Sequence, residues 1–147
     1  MTFDEIKKNK EVNEFITKGN YNLGLLGYTD HSQIHSGLVA QTAAVILKKF
    51  GYTDEDIELA RIAGYMHDIG NCVNRVDHAH SGAILSYNIL KDMGMSIAER
   101  TEIMMAIGNH DESTGTAVSD ISAALILADK SDVARSRVSK KNIATFD

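Results

Sequence analysis

Arg61-Ile62-Ala63-Gly64-Tyr65-Met66-His67-Asp68-Ile69-Gly70 is an apolar helical stretch that ends in two adjacent metal-capable side chains and a glycine. Upstream, Thr53 is placed to cap the helix, and Asp54, Glu55 and Asp56 suit the positive end of its dipole. Ile57, Ala60, Gly64 and Met66 keep helical spacing, and Gly70 is expected to take the left-handed conformation that stops the helix. His67 and Asp68 then fall in the last turn, about 100° apart around the axis. An imidazole and a carboxylate beside so apolar a run are costly to bury unless something satisfies them, such as a metal ion. Alone, the dipeptide reads equally as a helix end capping backbone groups in solvent.

Helical signals recur on both sides of this stretch. Thr2 and Glu5 have capping-box spacing, and Phe3, Ile6, Phe15 and Ile16 mark a first amphipathic helix expected to end at Gly19. Asn20 to Thr29 reads as a connecting loop. Asp30 is the expected N-cap of a second helix, His31 to Phe50, closed by Gly51. Thr53 to Ile69 is the third, and Asn71 to Asp77 is a polar loop. A fourth helix runs from His78 to Met93 and stops at Gly94; Ser96 and Glu99 open a fifth that reaches about Asn109. After an exposed loop from Asp111 to Ser119, a sixth helix spans Asp120 to Val133, and Lys140 to Asp147 is a short or frayed helix. No strand pattern appears. The expectation is an all-α fold, a compact single-domain bundle of about six helices over residues 1–147.

Composition agrees. The chain has 147 residues, enough for one domain with a real core, and it lacks proline and tryptophan. A formal charge of −5 argues against nucleic-acid binding through a basic surface, although bound divalent cations would reverse the local sign for a phosphate-bearing substrate. The lone cysteine, Cys72, rules out an internal disulfide and reads as a small half-buried apolar residue. With no signal peptide or membrane-length apolar run, the expected location is cytoplasmic, with no membrane partner. Met93, Met95, Met104 and Met105 read as core packing.

All six histidines lie between positions 31 and 110, most near predicted helix ends. His31 and His35 are four apart and would share one helix face; His78 and His80 open the fourth helix, and His110 ends the fifth. Asp129 sits in Ala123-Ala124-Leu125-Ile126-Leu127-Ala128-Asp129, where a carboxylate faces burial without an obvious partner nearby in sequence. Nitrogen and carboxylate oxygen without sulfur point to Fe, Mn, Ni, Co or Mg more than to structural zinc.

His35-Ser36-x-x-Val39-Ala40, His67-Asp68-Ile69-Gly70 and Ala128-Asp129-Lys130-Ser131-Asp132 resemble the ordered motifs of the HD-domain metal-dependent phosphohydrolase superfamily. His78-x-x-x-Gly82-Ala83 and Ile107-x-x-His110 resemble the two extra histidine motifs of its two-metal branches. The likeness spans roughly residues 31–135. It implies an all-α fold with ligands converging at the centre of the bundle. By carry-over, His35, His67, Asp68 and Asp129 would hold a first metal; His78 and His110 would hold a second, with Asp68 bridging. Gly82-Ala83 favours His78 over His80, whereas His31 stays open as ligand, substrate contact or partly exposed histidine. Ala128-Asp129-Lys130-x-x-x-x-Arg135, with Gly115 after the His110 motif, also resembles the branch that hydrolyses dinucleoside tetraphosphates. Two departures stand out: the lysine common after His-Asp-Ile-Gly is Asn71 here, and the Gly-Tyr-Pro motif of the cyclic-di-GMP branch is absent.

The activity implied is hydrolysis of a phosphate ester or anhydride, of a nucleotide or another small phosphorylated molecule, assisted by one or two divalent metal ions. Asp68, Lys130 and Asp111 form the expected catalytic set, Asp111 as orienter or proton acceptor. Lys130, Arg135 and His31 are the expected substrate contacts, Arg135 as a bidentate fork. Lys130 and Arg135 read equally as a solvated face or as partners of Asp132. A mixed-valence di-iron oxygenase of the same fold and a non-catalytic metal- or nucleotide-binding module are the alternatives.

Overall fold

The computed structural model describes residues 2–28 and 31–132. Its elements are α1 (Phe3–Lys7), α2 (Lys10–Leu25), α3 (Gln33–Lys49), α4 (Asp54–Met66), a 3₁₀ turn (Ile69–Cys72), α5 (His78–Asp92), α6 (Ile97–Gly108) and α7, helical over 120–132. No strand occurs among the described residues, as expected of an all-α chain. None of the described helices is long and apolar enough to cross a membrane.

Local chemistry sets the helix starts. Thr53 Oγ1 accepts the Asp56 N–H at 3.2 Å and Ser96 Oγ accepts that of Glu99 at 3.3 Å, so both expected caps are present. The first predicted helix is instead broken, because Asn9 Oδ1 accepts the Val12 N–H at 2.9 Å and starts α2 afresh. The second begins later than expected: Ser32 caps α3, so His31 precedes the helix rather than sharing a face with His35. Asp30, the expected cap, lies outside the described residues, as do Val133, Arg135 and the 140–147 segment.

Glycines explain the other differences. Gly51 and Gly94 take positive φ, 76° and 90°, and end α3 and α5 as expected. Gly19 and Gly70 do not act as left-handed stops. Gly19 lies inside α2, where an added Cβ would sit 3.1 Å from the Cys72 nitrogen; the 20–25 segment is therefore helix rather than loop. At Gly70 a Cβ would meet the His78 carbonyl oxygen at 1.9 Å and the Gly82 nitrogen at 2.6 Å. Both glycines let backbones touch, pinning the 3₁₀ turn between α2 and α5. Gly64 does the same for α4, whose backbone packs against Ala40 of α3.

Ile6, Val12, Val39, Ile62, Met66, Ile103, Ile107 and Leu125 form the centre of the core, each fully or almost fully buried. Burial of each such side chain contributes roughly 1.5–3 kcal/mol. Of the four methionines between residues 93 and 105 expected to pack in the core, Met95 is in it and Met93 and Met104 pack against it, whereas Met105 is 39% exposed. Cys72 is free and half-buried.

Candidate metal centre

Five segments carry imidazoles and carboxylates to one point. α4 ends at Met66, so His67 and Asp68 fall between it and the 3₁₀ turn, where the seam of glycines fixes their backbone. His35 comes from the first turns of α3, His78 starts α5, His110 follows α6, and Asp129 and Asp132 lie one turn apart on α7.

On one side of Asp68, His35 Nε2 and His67 Nε2 stand 3.4 Å apart. Asp68 Oδ2 lies 3.4 Å from the first and 3.2 Å from the second, and Asp129 Oδ1 lies 3.3 and 3.4 Å from them. On the other side, His78 Nε2 and His110 Nε2 are 3.2 Å apart, with Asp68 Oδ1 at 3.5 and 3.6 Å. Asp68 thus gives one oxygen to each pair of imidazoles.

The ring tautomers follow from the partners behind them. His67 Nδ1 donates to the Gly64 carbonyl at 2.7 Å, His78 Nδ1 to that of Arg75 at 3.1 Å, and His110 Nδ1 to that of Ile107 at 2.6 Å. His35 Nδ1 donates to Asp132 Oδ2 at 2.5 Å. With Nδ1 protonated, a neutral ring presents a bare lone pair at Nε2. Two such lone pairs facing each other repel unless a cation lies among them. Donors each about 2.1 Å from a common cation stand about 3.0 Å apart at right angles and about 3.4 Å apart in a tetrahedron. The observed spacings fit, and the cluster has the composition and burial to hold a divalent metal.

The same groups shift one another's proton affinities. Burial pulls His35 towards neutrality, but hydrogen bonds donated to Asp129 and Asp68 prevail and raise it to about 9. In His67, burial again opposes the charge of Asp68 and Asp129, which hold it well above the ordinary value. Asp68, although buried, and Asp129, half-buried, are held below the usual carboxylate range, first by the His67 charge. His78 goes the other way: burial, reinforced by His110 and Arg75, holds it at about 4 despite Asp68.

The remaining expected residues are distributed around this cluster. His31 donates from Nδ1 to Asp68 Oδ2 at 2.6 Å, beside the donors rather than apart from them. His80 is 53% exposed and 3.8 Å from Asp77, so of the contested pair the structure brings in His78. Asp111 Oδ1 accepts from the Ser113 backbone and hydroxyl; its Oδ2 lies 3.9 Å from His78 Nδ1. Burial works against its charge, yet those bonds hold its pKa below the ordinary value. Lys130 lines the cavity, 62% exposed, with its ammonium 2.8 Å from Glu112 Oε1. Arg135 falls outside the described residues. The cavity beside the cluster measures about 350 Å³, and Asp68, Asp129 and His110 lie in its wall. Sequence reasoning missed two residues here. Asp132 was read only as a surface partner, though its three-residue offset from Asp129 puts both on one helix face. Arg75 also lines the cavity; its signal was a cation placed between the His67-Asp68 pair and His78.

Comparison with known proteins gives a consistent result. The family described as HD domain matches residues 33–136. An uncharacterized protein of Methanocaldococcus jannaschii is 32% identical over 93% of the chain, which spans 61% of that relative's length. The crystal structure of a predicted HD superfamily hydrolase from an uncultured Thermotogales bacterium superposes with a TM-score of 0.66 at 25% identity, covering 90% of this chain and 74% of that one.

Proposed function

Because the chain belongs to the HD-domain family, we propose that it is a metal-dependent phosphohydrolase that cleaves a phosphate ester or anhydride of a small molecule, a nucleotide by preference. The observation that carries this reading is Asp68, with its two oxygens divided between the His35–His67 and His78–His110 pairs. His35, His67, Asp68 and Asp129 would hold one ion, and His78, His110 and Asp68 a second. Fe, Mn, Ni, Co and Mg suit this sulfur-free donor set. A divalent ion bound there supplies Lewis acidity towards phosphate oxygens and acidifies water for attack.

The chain's own residues do the rest. Asp132 and the carbonyls of Gly64, Arg75 and Ile107 orient the imidazoles. His31 keeps Asp68 aimed, and its ring lines the cavity where substrate would lie. Asp111, held ionised by Ser113, offers Oδ2 as a proton acceptor at the cavity wall. Lys130 would exchange Glu112 for a substrate phosphate, and Arg135, five residues on in the sequence, is proposed as a second phosphate contact. We place the activity in the cytoplasm, in keeping with a chain of one cysteine and a charge of −5, and assign it no nucleic-acid or membrane partner.

The test is metal analysis of purified protein followed by phosphate release from a nucleotide series with Mn, Fe, Ni and Mg. Asp68→Ala should lose nearly all metal and His110→Ala about one equivalent, each with loss of turnover. Unchanged metal content in both variants would overturn the two-metal assignment. Full turnover after exhaustive chelation would remove the metal requirement.

A further inference from the structure

Two hollows meet at Arg75. The cavity beside Asp68 and a second cleft, about 220 Å³, share this one side chain as wall. Their linings differ. The first is formed by imidazoles and carboxylates, whereas the second lies between the end of α2 and the 71–75 segment and is lined by Leu23, Leu25, Leu26 and Val73 with asparagines. Leu25, Leu26, Val73 and the neighbouring Tyr28 are all more than half exposed, an apolar surface directly continuous with the candidate centre.

Arg75 is held where it can serve both. Its Nη1 donates to Asn71 Oδ1 at 3.2 Å, and its guanidinium lies 5.4 Å from the centre of the Tyr28 ring. Asn71, in the turn that follows His67 and Asp68, thus positions a cation four residues on. Among the described residues the lysine and arginine ion pairs are Arg61–Glu58 and Lys130–Glu112; Arg75 takes part in neither. Among the described residues it is thus a half-buried cation with neutral partners, whereas the Lys130 charge is already met by Glu112. A planar fork in that state suits a phosphate better than an exposed, paired ammonium does.

We propose that Arg75 grips the substrate's phosphate at the junction of the two hollows, and that the substrate is an organic phosphate with an apolar or planar body. Its phosphate would lie on the metal side of Arg75, and its apolar or planar body over Leu25, Leu26 and Val73. The inference rests on the phosphohydrolase reading and narrows its substrate class away from inorganic pyrophosphate and small sugar phosphates. Arg75 can be truncated without removing its carbonyl, the group that orients His78.

The test uses the metal-reconstituted full chain, with calorimetric binding of inorganic phosphate and of adenosine monophosphate. Arg75→Ala should weaken inorganic phosphate by about 10- to 100-fold at unchanged metal content. Arg75→Lys should restore part of that loss. Leu26→Ser combined with Val73→Ser should weaken adenosine monophosphate about tenfold and leave inorganic phosphate unaffected. Phosphate affinity unchanged in Arg75→Ala, or falling only in proportion to lost metal, overturns the assignment. Equal effects of the double variant on both ligands, or none on either, overturn the organic-phosphate class. A wild-type protein that holds metal yet binds neither ligand instead removes the phosphohydrolase reading beneath it.

Discussion

His35 illustrates how much of this centre is decided behind the donors. Its Nδ1 meets Asp132 at 2.5 Å, which fixes the ring and makes Nε2 the more basic. Asp132→Asn should therefore lower metal affinity by about 10- to 100-fold while leaving the fold intact, measured by competition with a chromophoric chelator. The metal-free protein should also have a characteristic pH profile. His35, at about 9 folded against 6.5 unfolded, contributes stability that is complete below pH 6.5 and is lost as pH rises through 9. His78, at about 4 against 6.5, contributes stability present above pH 6.5 and lost as pH falls towards 4. Denaturation midpoints in chelator should peak near pH 6.5, and a midpoint flat across this range would contradict both shifts. Because a protonated His35 competes with an ion for Nε2, metal binding should strengthen as pH rises towards 9. The residue types of the cluster were legible in the sequence, since a His-Asp pair at the end of an apolar helix has few comfortable alternatives. The tautomer-setting partners were not. Spacing alone does not separate Asp132 as an orienting carboxylate from a surface acid.

At the scale of elements, the 3₁₀ turn is held by close backbone contact rather than by side chains. Gly70→Ala would drive a Cβ into the His78 carbonyl, 1.9 Å away with no flexible atom to yield. It should cost about 3 kcal/mol or more and abolish metal binding, read by thermal denaturation and metal content. Asp77, at φ 58° just before α5, makes the opposite prediction. Asp77→Gly should be neutral or slightly stabilising, whereas Asp77→Val should cost about 1–2 kcal/mol, because a branched side chain resists the left-handed region. Circular-dichroism melts of the two variants distinguish these outcomes. The helices themselves were readable from apolar spacing and caps, as Thr53 and Ser96 show. Glycine was the ambiguous letter. Gly51 and Gly94 do end helices with positive φ, but Gly19 and Gly70 serve close approach, and one sequence shows no difference between the two uses. Asn9 was read as helix interior although its side chain restarts the helix.

Across the whole molecule, α3, α5, α7, the junction between α4 and the 3₁₀ turn, and the segment after α6 all lend residues to one centre. Ion binding should therefore stabilise the assembled bundle as a unit. At free metal about 100-fold above Kd the gain is about 2.7 kcal/mol, and Tm should rise by roughly 5–10 °C. Scanning calorimetry with and without chelator measures this, and a Tm indifferent to metal would show that these elements do not share an ion. The helical class and the convergence of distant motifs could be anticipated, because burying so many imidazoles apart from one another would be costly. How the donors divide could not be, since it depends on the orientation of one carboxylate. Asp68 faces both imidazole pairs with a single negative charge. Were two ions to bind, whichever half filled first would draw electron density from the carboxylate on which the other relies, and the loss would be reciprocal. Loading would then be stepwise, the later ion would depart more readily, and occupancy would track the ambient supply of metal over a graded range rather than switching at one threshold.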